Sequence, residues 1–297
     1  MVKVFSSVNG DFDSFFDDDY IAGDGFYIKV KHDNHSGKFK IKEGKPSLEA
    51  KFEEKGKFGD VKVEGELKIS STGKHEFKGE YDLDKFVDNT EFEQKLEYNS
   101  ATHEHTNSFE LSNKGIVQDL STKAEFSIEN SGNWKFLQGF GYQHNPQFTT
   151  LLEYEYDGAK SALTAANIGL YHKSTDWMES LISYSTDGAF TGETDWTHYG
   201  ELAWKSRCKT VAGTKLGFDY VYDLKDRAAK FLVGIETKPT AGVEAKSKLS
   251  ADGEMEVSAK LEIADNWDLL MSTAMNASGL TNKQENIFGF GLEGKIK

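Results

Sequence analysis

Long apolar runs are missing from this sequence, and cysteine and proline are scarce. No stretch approaches the ~18 consecutive apolar residues of a membrane-crossing helix. Mean hydropathy is −0.59, so a helical membrane protein is ruled out. That exclusion does not reach β-barrels, whose lipid face uses only every second residue. Cys208 is the single cysteine in 297 residues. No intrachain disulfide can form, which fits a compartment where none is needed. The three prolines, Pro46, Pro146 and Pro239, all fall near expected strand ends or turns, where a missing N–H is tolerated. Positive charge is in deficit, with 35 Lys and Arg against 49 Asp and Glu and a net charge of −14. Phosphate would be repelled, so nucleic acid is not expected as a partner. The N-terminus has no basic segment followed by an apolar run, and it is acid-rich, so neither a secretory signal nor a matrix presequence is expected.

Catalytic signatures are missing too. There is no G-x-S-x-G, no Walker sequence and no C-x-x-C. Carboxylates are abundant but spread along strands, so no catalytic pair stands out. His103 and His105 in "THEHTN" put two imidazoles at i, i+2. No third ligand has metal-site spacing, and a polar turn is the simpler reading. No catalytic residue, cofactor or metal is expected.

What the sequence does contain is period-two alternation from Gly25 to the end. In "VKVEGELKIS", Val61, Val63, Gly65, Leu67 and Ile69 occupy one face, and Lys62, Glu64, Glu66 and Lys68 the other. Phe26, Ile28 and Val30 likewise oppose Tyr27, Lys29 and Lys31. Successive strand side chains point to opposite faces, so each run has one apolar and one charged face. About nineteen such runs, each roughly 8–11 residues, are separated by short turns such as "STGK", "NSG" and "ADGE". No linker divides them, which gives residues 23–297 as one all-β domain.

Alternation suits a soluble sandwich or a membrane barrel. Three features favour the barrel. Run length is steady and matches a tilted membrane strand. Hairpins follow one another without long Greek-key connections. Aromatics concentrate near run ends, including Tyr98, Trp134, Tyr142, Tyr156, Tyr171, Trp177, Trp196, Tyr199, Trp204, Tyr222 and Trp267, as two interfacial girdles would. In lipid such a sheet must close on itself. With about nineteen strands its lumen is too wide for side chains to fill. The charged face, including Lys29, Lys31, Lys62, Glu64, Glu66 and Lys68, is then expected to line the lumen.

Residues 1–22 break the pattern. Val8, Phe12, Phe15 and Phe16 follow helical spacing, and Phe5 extends the stripe by a turn. Asp11, Asp13, Asp17 and Asp18 fall mostly off it. So short a helix is marginal alone and needs a wall to pack on. Gly23 and Gly25 are expected to form the hinge into the first strand.

The glycine-flanked "GDGFYIKVKH", the "FGFGLEGKIK" terminus and the strands in "AKFLVGIETKPTAGVEAKSKLSADGEMEVSAKLEI" and "NWDLLMSTAMNASGL" resemble the mitochondrial porin, or voltage-dependent anion channel, family. The resemblance is tightest over residues 20–32 and 215–297. It implies a 19-stranded, otherwise antiparallel transmembrane barrel whose first and last strands pair in parallel, with a short helix in the pore. It implies the mitochondrial outer membrane, lipid as environment, and ions and small metabolites as cargo. It also implies a barrel-insertion signal in the last strand, matched by Gly289, Phe290 and Leu292. Ile287 and Gly294 depart from that signal. Where the family's helix carries basic residues, this chain has six aspartates and one lysine between Met1 and Asp24. A pore less anion-selective than the family norm is therefore expected. Three alternatives stay open: a structural accessory subunit bound to other mitochondrial membrane proteins, a protein-translocase barrel, and a soluble β-protein binding an apolar ligand.

Overall fold

The computed structural model describes residues 3–22, 25–59, 61–117, 119–174, 177–190, 200–210, 213–276 and 287–296. One helix, α1 (Phe5–Asp17), precedes nineteen strands. The first eight are β1 (Gly25–His32), β2 (His35–Lys42), β3 (Lys45–Phe58), β4 (Val61–Ser70), β5 (Lys74–Asp82), β6 (Thr90–Asn99), β7 (Glu104–Val117) and β8 (Leu120–Glu129). Then come β9 (Trp134–Asn145), β10 (Phe148–Asp157), β11 (Ala162–Ser174), β12 (Met178–Phe190), β13 (Glu201–Lys209) and β14 (Lys215–Asp223). The last are β15 (Ala228–Thr240), β16 (Val243–Ser250), β17 (Glu254–Ala264), β18 (Trp267–Asn276) and β19 (Ile287–Ile296).

Each strand pairs antiparallel with its chain neighbours, and β1 meets β19 in parallel, Gly25 opposite Gly289 through His32 opposite Ile296. The sheet is a closed 19-stranded barrel. An odd number of alternating strands can close only through one parallel seam. Closure leaves no sheet edge unpaired.

The faces follow from the register, because residues directly opposite across a ladder share a face. Glu293 sits opposite Lys29, Lys29 opposite Lys38, and Lys38 opposite Glu49. On the same face of β3, Lys51 sits opposite Lys68, which faces Glu76. The other face exposes Phe26 (42%), Ile69 (43%), Phe77 (43%), Leu170 (42%) and Phe290 (47%). An apolar surface on the outside, with ion pairs within, is the reverse of a soluble sandwich and suits lipid. Among the described residues, no helix is long and apolar enough to cross a membrane.

Strand lengths run from 8 to 14 residues, a wider spread than the sequence suggests. In β3 the difference has a clear origin. Its ladder with β2 ends at Phe52, whereas its ladder with β4 runs on to Phe58, so the hairpin continues past its shorter neighbour. Alternate turns lie at opposite ends of the barrel. Tyr98, Trp134 and Tyr156 sit towards one end, and Tyr142, Trp177 and Trp267 towards the other. Tyr171 is different. It lies on the charged face, 8% exposed, in a cluster with helix residues. Trp196 and Tyr199 lie outside the described residues.

Candidate functional site: the helix-bearing lumen

Helix α1 has no side-chain cap at its N-terminus and no basic residue in its last turn. Asp13 and Asp17 stand near its C-terminus, where the macrodipole disfavours them. Its stability must come from docking. Phe5, Val8, Phe12, Phe15 and Phe16 are all buried, Val8 and Phe12 to 1% exposure. Phe5, Val8 and Phe12 pack with Leu151, Tyr171 and Leu181 of β10, β11 and β12. Phe15 and Phe16 stand edge-to-face, their ring centroids 5.1 Å apart. They fill a slot over Gly217 and Gly234, which face each other on β14 and β15. A Cβ on Gly234 would lie 2.8 Å from Phe15 and 2.9 Å from Phe16.

The segment after the helix continues along the wall. Ser258 Oγ donates to the Asp19 carbonyl at 2.6 Å. The Ile21 carbonyl lies directly against Gly289, where no side chain would fit. Ile21 then packs with Tyr27 and Leu270. These contacts locate the helix inside the barrel. Val4 touches the wall at Gly139 of β9, and Ile21 touches it at Gly289 of β19. By the shorter way round, nine strand spacings separate those strands, about 43 Å of wall at ~4.8 Å each. The chain from Val4 to Ile21 reaches at most about 35 Å. Only a chord across the interior touches both.

The helix acids meet wall cations. Asp13 pairs with Lys205 of β13, which also lies 3.6 Å from Asp219. Lys246 of β16 is 2.8 Å from Asp19. Lys248 donates to the Phe16 carbonyl at 2.9 Å, lies 3.9 Å from Asp17, and stands 4.4 Å over the Tyr20 ring. Arg207 donates to the Asp11 carbonyl at 3.0 Å and sits 5.5 Å over the Phe12 ring. Asp11 itself pairs with Lys3, while Asp18 is exposed. Asp13, Asp17 and Asp19 are thus the aspartates whose carboxylates face wall cations, while those of Asp11 and Asp18 do not. Gly25 has φ +73° and abuts the Ile41 carbonyl, so a side chain there would be strained. Gly23 lies outside the described residues.

Lys29, Lys31, Lys62, Glu64, Glu66 and Lys68 share the helix-bearing face. Glu66 binds Lys51 at 2.7 Å and Lys68 at 2.9 Å. Glu64 begins a row of five glutamates directly opposite one another, continuing through Glu80, Glu93, Glu110 and Glu125. Like charges so placed repel, and lysines offset this from neighbouring rows. Lys78 lies 2.7 Å from Glu80 and 2.9 Å from Glu93, and Lys123 lies 2.9 Å from Glu110. In β19, Phe290 is exposed on the outer face while Gly289 and Gly291 lie beneath Ile21 and Tyr27. Leu292 shares the outer face with Phe290, and Gly294 is covered by the Trp267 ring.

Sequence reasoning missed Leu151, Leu181 and Leu270, the apolar seat for the helix and its tail. The available signal is the doublets Leu151–Leu152, Leu181–Ile182 and Leu269–Leu270, where alternation fails because both faces are apolar. His103 lies in a turn at φ +59° with its ring 3.1 Å from the Tyr98 hydroxyl, whereas His105 belongs to β7.

Comparison with solved structures supports the architecture. The crystal structure of Pseudomonas aeruginosa OccK11 is similar, with a TM-score of 0.54 and 12% identity, over 86% of this chain and 90% of that one. At that identity the likeness is one of fold. A triple mutant of the Rhodopseudomonas blastica porin aligns at a TM-score of 0.45 and 9% identity, over 85% of this chain and 88% of that one. No protein-family model matches the chain, and no curated protein does.

Proposed function

We propose that this chain is an outer-membrane channel that passes ions and small hydrophilic solutes through a lumen narrowed by its own N-terminal helix. One observation carries the reading: the barrel is closed, with charged residues facing inwards and aromatic and aliphatic residues facing out. At nineteen strands such a barrel encloses water, and a 13-residue helix occupies only part of its width. Passage then depends on lumen geometry and wall charge, with no catalytic step.

The mitochondrial outer membrane is the proposed location. Bacterial single-chain barrels have even strand numbers, whereas the mitochondrial anion channel has 19. The odd count and parallel seam therefore support the sequence resemblance. Lys29, Lys31, Lys62, Glu64, Glu66 and Lys68 line the water path in this reading. Residues 1–22 form the pore helix, with Gly23 and Gly25 as its hinge, and Gly289, Phe290 and Leu292 serve barrel insertion. The carboxylate row makes the path less anion-selective than the family norm.

Vesicles reconstituted with the purified chain test this. They are expected to release a small sugar while retaining a dextran wider than the lumen. Retention of both by vesicles holding folded protein would overturn the channel reading. Recovery at fixed stoichiometry with other membrane subunits would then favour the accessory role.

A further inference from the structure

The helix and its tail touch wall strands from β9 to β19. Their apolar contacts, hydrogen bonds and ion pairs among the described residues fall on those strands and on Tyr27 of β1 rather than on the charged inner rows of β2–β7, while Ser121 of β8 is buried. The water path of the proposed channel runs between the helix and the β2–β8 arc. Charge on the arc is segregated. The inner face of β2 and β3 carries seven lysines against two glutamates, whereas that of β4–β8 carries twelve carboxylates against seven lysines. Each sector therefore has an excess of five charges, of opposite sign.

The register sharpens both sectors. Lys42 faces Lys45 directly, and Lys38 faces Lys29 of the adjoining strand. The five-glutamate row crosses every strand of the acidic sector. A concavity of about 330 Å³ opens there, where Lys62 is outnumbered by carboxylates that include Glu64, Glu80, Glu91, Glu93 and Glu110. The two sectors meet at the β3–β4 boundary, one strand spacing of ~4.8 Å. That is the scale of the charge separation in a small amino acid.

We infer that this two-sign wall is the specificity-determining surface of the channel and favours small zwitterionic solutes. The carboxylate of such a solute travels beside the β2–β3 lysines and its ammonium group beside the β4–β8 glutamates. A singly charged ion gains from one sector what it loses to the other, so potassium and chloride pass at comparable rates. The inference rests on the channel reading, and the test separates the two.

Vesicles carrying the full chain are compared for entry of glutamine, a zwitterion, and arabinose, a neutral solute of similar size. Glutamine is expected to enter about threefold faster. In Lys42→Gln/Lys45→Gln and in Glu80→Gln/Glu93→Gln the ratio is expected to fall towards one. Reversal potentials in a salt gradient shift towards cations in the first variant and towards anions in the second. Arabinose entry with a glutamine ratio of one in the wild type would overturn this inference and leave the channel intact. So would shifts of the same sign in both variants. Failure of arabinose itself to enter would refute the channel reading.

Discussion

Single side chains decide whether the helix stays on the wall. Phe15 occupies the volume that a Cβ on Gly217 would need, and both phenylalanines crowd Gly234. Gly217→Val therefore overpacks the slot, a class of change that costs about 1–3 kcal/mol. Amide exchange over Phe5–Asp17 is expected to accelerate by about 5- to 150-fold, while the strands keep their protection. Unchanged helix protection would mean that the slot does not hold the helix. The phenylalanine stripe was legible in the sequence because its spacing is helical. Its receptor was not, because Gly217 and Gly234 are adjacent only through the β14–β15 register. Tyr171 reads as a girdle residue by its place near a run end, yet it faces inwards to cover the helix. The aspartates were visible as charge, but their partners Lys205, Lys246 and Lys248 lie on strands some 190 or more positions away.

Among the elements, the seam between β1 and β19 is the most informative. Antiparallel hairpins are written locally, in alternation and turn residues, so eighteen of the strand pairings follow from chain order. The seam joins the two ends of the domain, and only the family resemblance pointed to it. Its register places Ile28 opposite Leu292 on the outer face. In a chain with Cys208→Ser, Ile28→Cys/Leu292→Cys is expected to crosslink on mild oxidation, because paired Cα atoms lie near disulfide range. Ile28→Cys/Ile296→Cys is four residues out of register and is expected to stay reduced. Equal crosslinking of both pairs would contradict a fixed parallel seam.

For the whole molecule, the distribution of charge matters more than its total. The six aspartates before Gly25 suggested a pore less anion-selective than the family norm. Asp13, Asp17 and Asp19 instead meet wall cations, and the β2–β8 arc carries both signs in separate sectors. Period-two alternation foretold strands with one apolar and one charged face, and closure followed from placing them in lipid. Alternation could not say where along the wall the signs would separate, since that depends on which strands the helix covers. The central claim is that the lumen conducts with the helix docked inside it. Single-channel recording of the purified full chain in a planar bilayer tests it most directly. Discrete, long-lived conductance steps are the expected result. Inserted, strand-rich protein that passes no current would contradict the account.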